Sequence, residues 1–164
     1  MRTRKGFGYT AFVTELFSLS IVGWALSDSM RTEALPLQAL HQAIVCAEET
    51  TGLIHHSDHG SQCVSIVYNE RLAEHEIVAS TGTVGDSYDN ALVENVTGSY
   101  KNELIHNRTW VYFVDVEIAT FEWVTWWNEA RLHQGLGYRT PAEVESEFCK
   151  TNQGQEIIEI KANA

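Results

Sequence analysis

The sequence predicts an α/β fold, and three observations carry that prediction. Short strand-like runs alternate with helical patterns through the first half, one strand runs into a polar, glycine-containing loop that holds an aspartate, and the second half is mostly helical. A length of 164 residues suits one domain. The composition, 44% hydrophobic and 20% charged, is that of a folded globular chain rather than a disordered one.

Tyr9 to Phe17 (YTAFVTELF) and Ile21 to Leu26 (IVGWAL) read as two strands, with Ser18-Leu19-Ser20 between them at hairpin length, so they are expected to pair antiparallel. A helix follows from about Glu33 to Glu48. Thr32 is its expected N-cap, and Leu35, Ala39, Leu40, Ala43, Ile44 and Ala47 recur at helical spacing. Pro36 falls in the first turn, where an N–H has no intrahelical partner to lose. Leu53 to His55 reads as a buried strand entering the loop His56 to Gln62, followed by a helix over about Ser65 to His75, a strand at Ile77 to Ala79, and a Gly/Ser/Asp-rich loop from Ser80 to Asp89.

Asp89 or Asn90 can cap the next helix, which runs to about Ile105. Asp115 can cap another, through Asn128, that carries Val116, Ala119, Trp123, Trp126 and Trp127. After Gly135 and Gly137 a short helix is expected from Pro141 to about Phe148. The domain is placed at residues 1–150, with 151–164 as a flexible tail.

Eleven Lys and Arg stand against 22 Asp and Glu, a formal charge of −11, and both halves are acidic. This argues against a protein that grips nucleic acid by bulk charge, so any DNA contact has to be local. The three cysteines, Cys46, Cys63 and Cys149, are far apart with no CxxC pair, which argues against a disulfide framework or a cysteine zinc site. No apolar run reaches the roughly 20 residues that cross a bilayer, and Met1 to Gly6 is not followed by a signal-like core, so a cytoplasmic location and no membrane partner are expected.

The residues that point to chemistry are Asp58 at a strand end and Glu94 one turn into a helix that begins after a polar loop. Spacing alone leaves open that they are ordinary surface acids. Lys101 lies seven residues after Glu94, about 20° from eclipsed on the same helix face, so a carboxylate suited to a metal ion and an ammonium suited to a phosphate point the same way.

The surrounding stretches sharpen this. They read His56-Ser57-Asp58-His59-Gly60-Ser61-Gln62-Cys63, then Asp89-Asn90-Ala91-Leu92-Val93-Glu94, then Lys101-Asn102-Glu103-Leu104, then Trp127-Asn128-Glu129-Ala130-Arg131-Leu132-His133-Gln134-Gly135-Leu136-Gly137-Tyr138-Arg139-Thr140-Pro141-Ala142-Glu143. From about Gly6 to Glu145 the chain resembles the catalytic core of bacterial insertion-sequence transposases related to retroviral integrases, the DDE group. The resemblance implies a ribonuclease H-like mixed sheet flanked by helices. It also implies DNA transposition by phosphoryl transfer with two Mg²⁺ (or Mn²⁺) ions held by three carboxylates. Asp58 and Glu94 are then catalytic acids and metal ligands. Asn90, Lys101, Arg131, His133 and Arg139 are candidate DNA contacts, and the implied partners are element-end and target DNA.

In this register the family's first catalytic Asp and first core strand fall upstream of Met1. Glu15 stands where relatives usually have an Asp that is not a metal ligand, so it is no obvious substitute. His59 and Cys63 replace a usual Arg and Tyr, removing a cation and an aromatic beside the loop. These departures imply a truncated or decaying copy that is inactive alone, or a second reading frame that needs an upstream product. The edge left by the absent strand implies oligomerisation or association with full-length transposase. Two alternatives stand beside this: an inactive remnant that at most binds DNA or intact transposase, and another nuclease of the same fold class.

Several clusters have plainer explanations. His55, His56 and His59 lack helical ligand spacing, and neighbours on a strand face opposite ways, so a structural role for His55 is preferred over a metal cluster. Trp123, Trp126 and Trp127 at helical spacing read as core rather than as a base-stacking platform. Arg131, His133 and Arg139 can bind phosphate or merely solvate a turn, and Asp86 and Asp89 read as turn and cap residues.

Overall fold

A computed structural model describes residues 2–3, 6–28, 34–47, 49–57, 66–81 and 87–162. The element pattern is α/β. A two-residue hairpin, β1 (Arg2–Thr3) with β2 (Gly6–Phe7), precedes the main hairpin of β3 (Tyr9–Thr14) and β4 (Ile21–Ser27). Helix α1 (Ala34–Cys46) leads to β5 (Ile54–Ser57), α2 (Ile66–Glu74) and β6 (Val78–Thr81). Helix α3 (Ser87–Tyr100) passes directly into a π-helical turn, Lys101–Ile105, followed by α4 (Phe113–Glu129), a 3₁₀ turn at Gln134–Leu136 and α5 (Pro141–Ala162).

The β3–β4 hairpin is the middle layer. Its alternation sends Tyr9, Ala11 and Val13 of β3 with Ala25 of β4 toward α1, where Leu35 and Ala39 close the packing. Phe12, Trp24 and Leu26 face the other way, against α3, the π turn and α4. A bulge between Val13 and Thr14 skips Val22 in the pairing, so Thr14 sits opposite Ile21, and Ile21 joins the α3–α4 side of the hairpin. That side holds the largest core cluster, including Val96, Tyr100, Leu104, Trp110, Val116, Trp123 and Trp127. Its rings meet edge to face: Phe12 on Tyr100 at 5.1 Å and Tyr100 on Trp123 at 5.2 Å between centroids. The Tyr100 hydroxyl, buried with them, pairs with Thr120 Oγ1 at 2.7 Å.

On the opposite side α1 approaches β4 closely at Gly23. A Cβ there would stand 2.1 Å from the Ala39 carbonyl oxygen and 3.0 Å from the Ala43 nitrogen. Only a hydrogen in place of a side chain permits this contact. The far face of α1 packs Leu40 and Ile44 on Tyr68 and Leu72 of α2, which crosses between the parallel strands β5 and β6.

In place of one mixed sheet, the described residues form three two-stranded sheets. The outer edge of β4 is covered by side chains: the Asn128 amide accepts the Ile21 N–H at 2.9 Å and donates to the Ile21 carbonyl at 2.9 Å, and Gln42 accepts the Trp24 N–H at 2.7 Å. Among the described residues no strand pairs with the other edge of β3.

Element boundaries differ from expectation where local chemistry competes. Helix α3 starts at Ser87, so Asp89 and Asn90 lie inside it rather than capping it. Helix α4 starts at Phe113, and Asp115 acts from its third position, accepting the Tyr112 N–H at 3.4 Å. The backbone of α5 stays helical to Ala162, well past Phe148. Trp126 is 42% exposed and does not join Trp123 and Trp127 in the core. The expected Thr32 cap lies outside the described residues.

Gly23→Ala is expected to lower unfolding stability by about 2 kcal/mol or more, because the clash is with backbone that has no rotamer to move. Urea unfolding compared with Ala25→Gly, which removes rather than adds volume on the same strand, checks it: a shifted midpoint without clash-scale loss in Gly23→Ala contradicts the packing.

Candidate functional site

The parallel pair β5–β6 sets the direction of the candidate site. Ser57 and Thr81, the last residues of the two strands, are register partners, so the chain leaves both strands at the same edge. Asp58 follows Ser57 directly, and the segment after Thr81 leads to α3 at Ser87. The carboxyl ends of parallel strands are where α/β folds place ligands. Asp58, His59 and Cys63 themselves lie outside the described residues.

Glu94 sits on α3 with its side chain exposed, and Asn90 lies one turn earlier in the same helix. Because α3 remains α-helical through Tyr100, the seven-residue step to Lys101 keeps Glu94 and Lys101 on one side. Lys101 is exposed and opens the π turn, whose wider loop is closed by the His106 N–H donating to the Lys101 carbonyl at 2.8 Å. Among the described residues no three His, Cys, Asp or Glu side chains converge as a metal site.

The histidines of β5 divide as strand geometry requires: His55 is half-buried and His56 exposed. His55 Nε2 lies 2.9 Å from the Tyr68 hydroxyl, and burial, with His56 beside it, holds the imidazole below its ordinary range. Glu15, too, has a structural task. Its carboxylate accepts the Phe17 N–H at 2.7 Å, the Ser18 N–H at 2.6 Å and the Ser18 hydroxyl at 2.7 Å, fixing the hairpin turn.

The C-terminal candidates are engaged with the protein itself. The Arg131 guanidinium lies over the Trp127 ring at 4.4 Å and pairs with Glu103, whose other oxygen accepts the Trp123 indole N–H at 3.1 Å. His133 is buried, edge-on to Trp127 at 4.6 Å, and its backbone bridges to Arg139. Arg139 donates to the Leu136 carbonyl at 3.0 Å and pairs with Glu147. The turn between them depends on left-handed backbone at Gly137 (φ 65°) and Tyr138 (φ 61°).

Four residues that the sequence reading did not single out, in three sets of contacts, hold this region together. Glu103 joins the π turn to α4 and Arg131. Asn128 completes the edge of β4. Thr140 and Glu143 form a reciprocal capping box for α5, with the Glu143 N–H donating to Thr140 Oγ1 at 3.2 Å and the Thr140 N–H to Glu143 at 2.8 Å. The last was visible as Thr-Pro-Ala-Glu; the first two depend on long-range contacts with no local signature.

Residues 1–87 match the integrase core domain family, and residues 75–141 match a second family of the same description. Over 146 residues, 89% of the chain, it is 47% identical to the transposase for insertion sequence element IS629 of Shigella sonnei, covering 49% of that protein. It is 44% identical over 157 residues to a Mycobacterium tuberculosis protein described as the transposase for IS986/IS6110, covering 92% of the chain and 56% of that protein. It is 31% identical over 147 residues to transposase InsF for IS3A of Escherichia coli, covering 89% and 51%. The chain thus spans about half the length of the relatives it matches.

The environment of His133 predicts a pH dependence. Burial, and to a lesser extent the charge of Arg131, lowers its pKa from the ordinary histidine value of 6.5, with the Trp127 carbonyl and Glu103 offsetting in part. The unfolded chain therefore binds this proton more readily, so the stabilisation is fully present above pH 6.5 and is lost as pH falls through the lower folded value. Urea midpoints should be level above about pH 7 and decline below it, with a shallower decline in His133→Gln. His55, shifted in the same direction, supplies a residual slope that His55→Gln removes. Equal slopes in all variants would contradict the assignment.

Proposed function

The chain belongs to the integrase core domain family, and on that premise we propose that it is part of a transposase catalytic core that performs metal-dependent phosphoryl transfer on DNA ends. The observation that carries the proposal is the shared edge at Ser57 and Thr81: Asp58 leaves the first strand there, and the chain that leads to Glu94 leaves the second. A ribonuclease H-like arrangement is the fold that this topology and the family favour.

Asp58 and Glu94 are assigned as two carboxylates that would hold Mg²⁺ or Mn²⁺. When bound, the ions would lower the pKa of an attacking water or hydroxyl and neutralise charge on the phosphodiester. The protein's own contribution is position. Asp58 follows the last residue of β5 in sequence, Glu94 stands on a helix pinned by the aromatic core, and Lys101 offers an ammonium to a DNA phosphate on the side of α3 that Glu94 occupies. Asn90, one turn before Glu94, is assigned to orient it or touch substrate. His133 acts through the fold, while Arg131 and Arg139 reach DNA only by exchanging Glu103 and Glu147 for phosphate. Two of the three carboxylates of the family's site are thus assigned within this chain. Element-end and target DNA are the proposed substrates.

The internal pairing of Arg131 and Arg139, together with the acid excess, favours a second reading for the chain acting alone. In it the chain contributes a folded half and binds intact transposase or DNA without cutting.

A version extended upstream to transposase length should nick element-end DNA with Mg²⁺ or Mn²⁺, while residues 1–164 alone should not. Asp58→Asn and Glu94→Gln should each reduce nicking by about a hundredfold or more. Lys101→Ala should lower the salt slope of DNA binding by about 1. Undiminished nicking in the two carboxylate variants would remove the assigned roles.

A further inference from the structure

Helix α4 is apolar on two opposite sides. One side, Val116, Ala119, Thr120, Trp123, Val124 and Trp127, is buried in the main core. Opposite it, Val114, Ile118 and Phe121 recur at i, i+4 and i+7, within about 60° of one another on the helical wheel. They are 54%, 57% and 62% exposed. A helix on a protein surface normally carries one apolar stripe, so a second one facing away from the core is unusual, and among the described residues it is open to solvent.

Charge narrows what the cover is. Glu117 borders the stripe on one side, and Asp115, Glu122 and Glu129 on the other; all four are exposed, and α4 contains no Lys, Arg or His. A second copy laid on the same face would bring carboxylates against carboxylates. A nucleic acid or an anionic membrane surface would meet the same repulsion. The complementary surface is an amphipathic helix whose apolar stripe is flanked by lysine or arginine, seated helix against helix.

The source follows from the charge of the whole chain and rests on the transposase reading. A protein that handles DNA ends has to neutralise phosphate, and these residues supply 11 cations against 22 acids. About half the length of each such relative has no counterpart in the chain, and on the transposase reading that part is where a basic segment is sought. We infer that the Val114–Ile118–Phe121 face of α4 is a docking surface for a basic amphipathic helix from that remainder, so that acidic core and basic segment attach through protein contacts as well as through DNA.

The test uses fluorescein-labelled synthetic peptides that overlap across the unmatched half of the Shigella sonnei transposase, titrated with residues 1–164 and read by anisotropy. A Lys/Arg-rich amphipathic peptide should bind saturably and gain helical circular dichroism. Its affinity should fall about tenfold with Ile118→Asp or Phe121→Asp, and its salt dependence should shrink with the pair Glu117→Gln and Glu122→Gln. These side chains are exposed, so thermal melts should confirm folded variants. Equal binding to wild type and variants, equal binding of a scrambled peptide, or self-association that Phe121→Asp abolishes would each overturn the inference. Because the readout involves neither metal nor DNA cleavage, its failure is distinguishable from failure of the catalytic assignment.

Discussion

The end of α4 has to finish the edge of a sheet, and the rest of the molecule is arranged around that requirement. Asn128 offers its amide to Ile21 as a neighbouring strand would, accepting the N–H and donating to the carbonyl. One residue earlier, the Trp127 indole donates to the Leu19 carbonyl at 3.0 Å, at a turn residue held in left-handed backbone (φ 61°). A sheet edge left bare costs unpaired donors and invites pairing with other chains. Side-chain amides on a helix satisfy it here, and they fix the position of α4 against the hairpin at the same time.

From that anchor the constraint passes to α3, which carries Glu94. Trp127 stacks under Arg131, Arg131 pairs with Glu103, and Glu103 holds the π turn that continues α3. The Phe12–Tyr100–Trp123–Trp127 ring contacts run through the same space. Glu94 therefore stands on a helix secured at its C-terminal end by a polar network and along its length by aromatic packing. Such support behind an exposed carboxylate is what a preorganised phosphoryl-transfer site requires, since its chemistry depends on position and charge. The Arg131 and Arg139 guanidinium groups pair with Glu103 and Glu147 in this scaffold, and Lys101 is exposed two turns beyond Glu94.

Much of the fold was legible because its signals are local. The strand-like runs YTAFVTELF and IVGWAL gave the hairpin, and helical spacing gave α1 and α4. The π turn was not legible, because five residues cannot separate a period of about 4.4 from one of 3.6. Nor was the outward turn of Trp126: an exposed indole beside two buried ones looks the same in sequence, and only the position of Arg131 beside it, 5.4 Å from the ring, explains its tolerance of solvent. The acids of the site came from motif context rather than from pattern. Asp58 and Glu94 are separated in sequence by a strand, two helical stretches and two loops, and no periodicity links residues so far apart.

Whether those two acids share one ion is the point on which the functional account turns, and paramagnetic broadening by Mn²⁺ reads it without requiring catalysis. In ¹H–¹⁵N spectra of the chain, substoichiometric Mn²⁺ should broaden the amides that follow Ser57 and those flanking Glu94 together. Either Asp58→Asn or Glu94→Gln should relieve the broadening at both places. Broadening confined to one segment, or unchanged by either substitution, would show that the carboxylates do not meet at an ion.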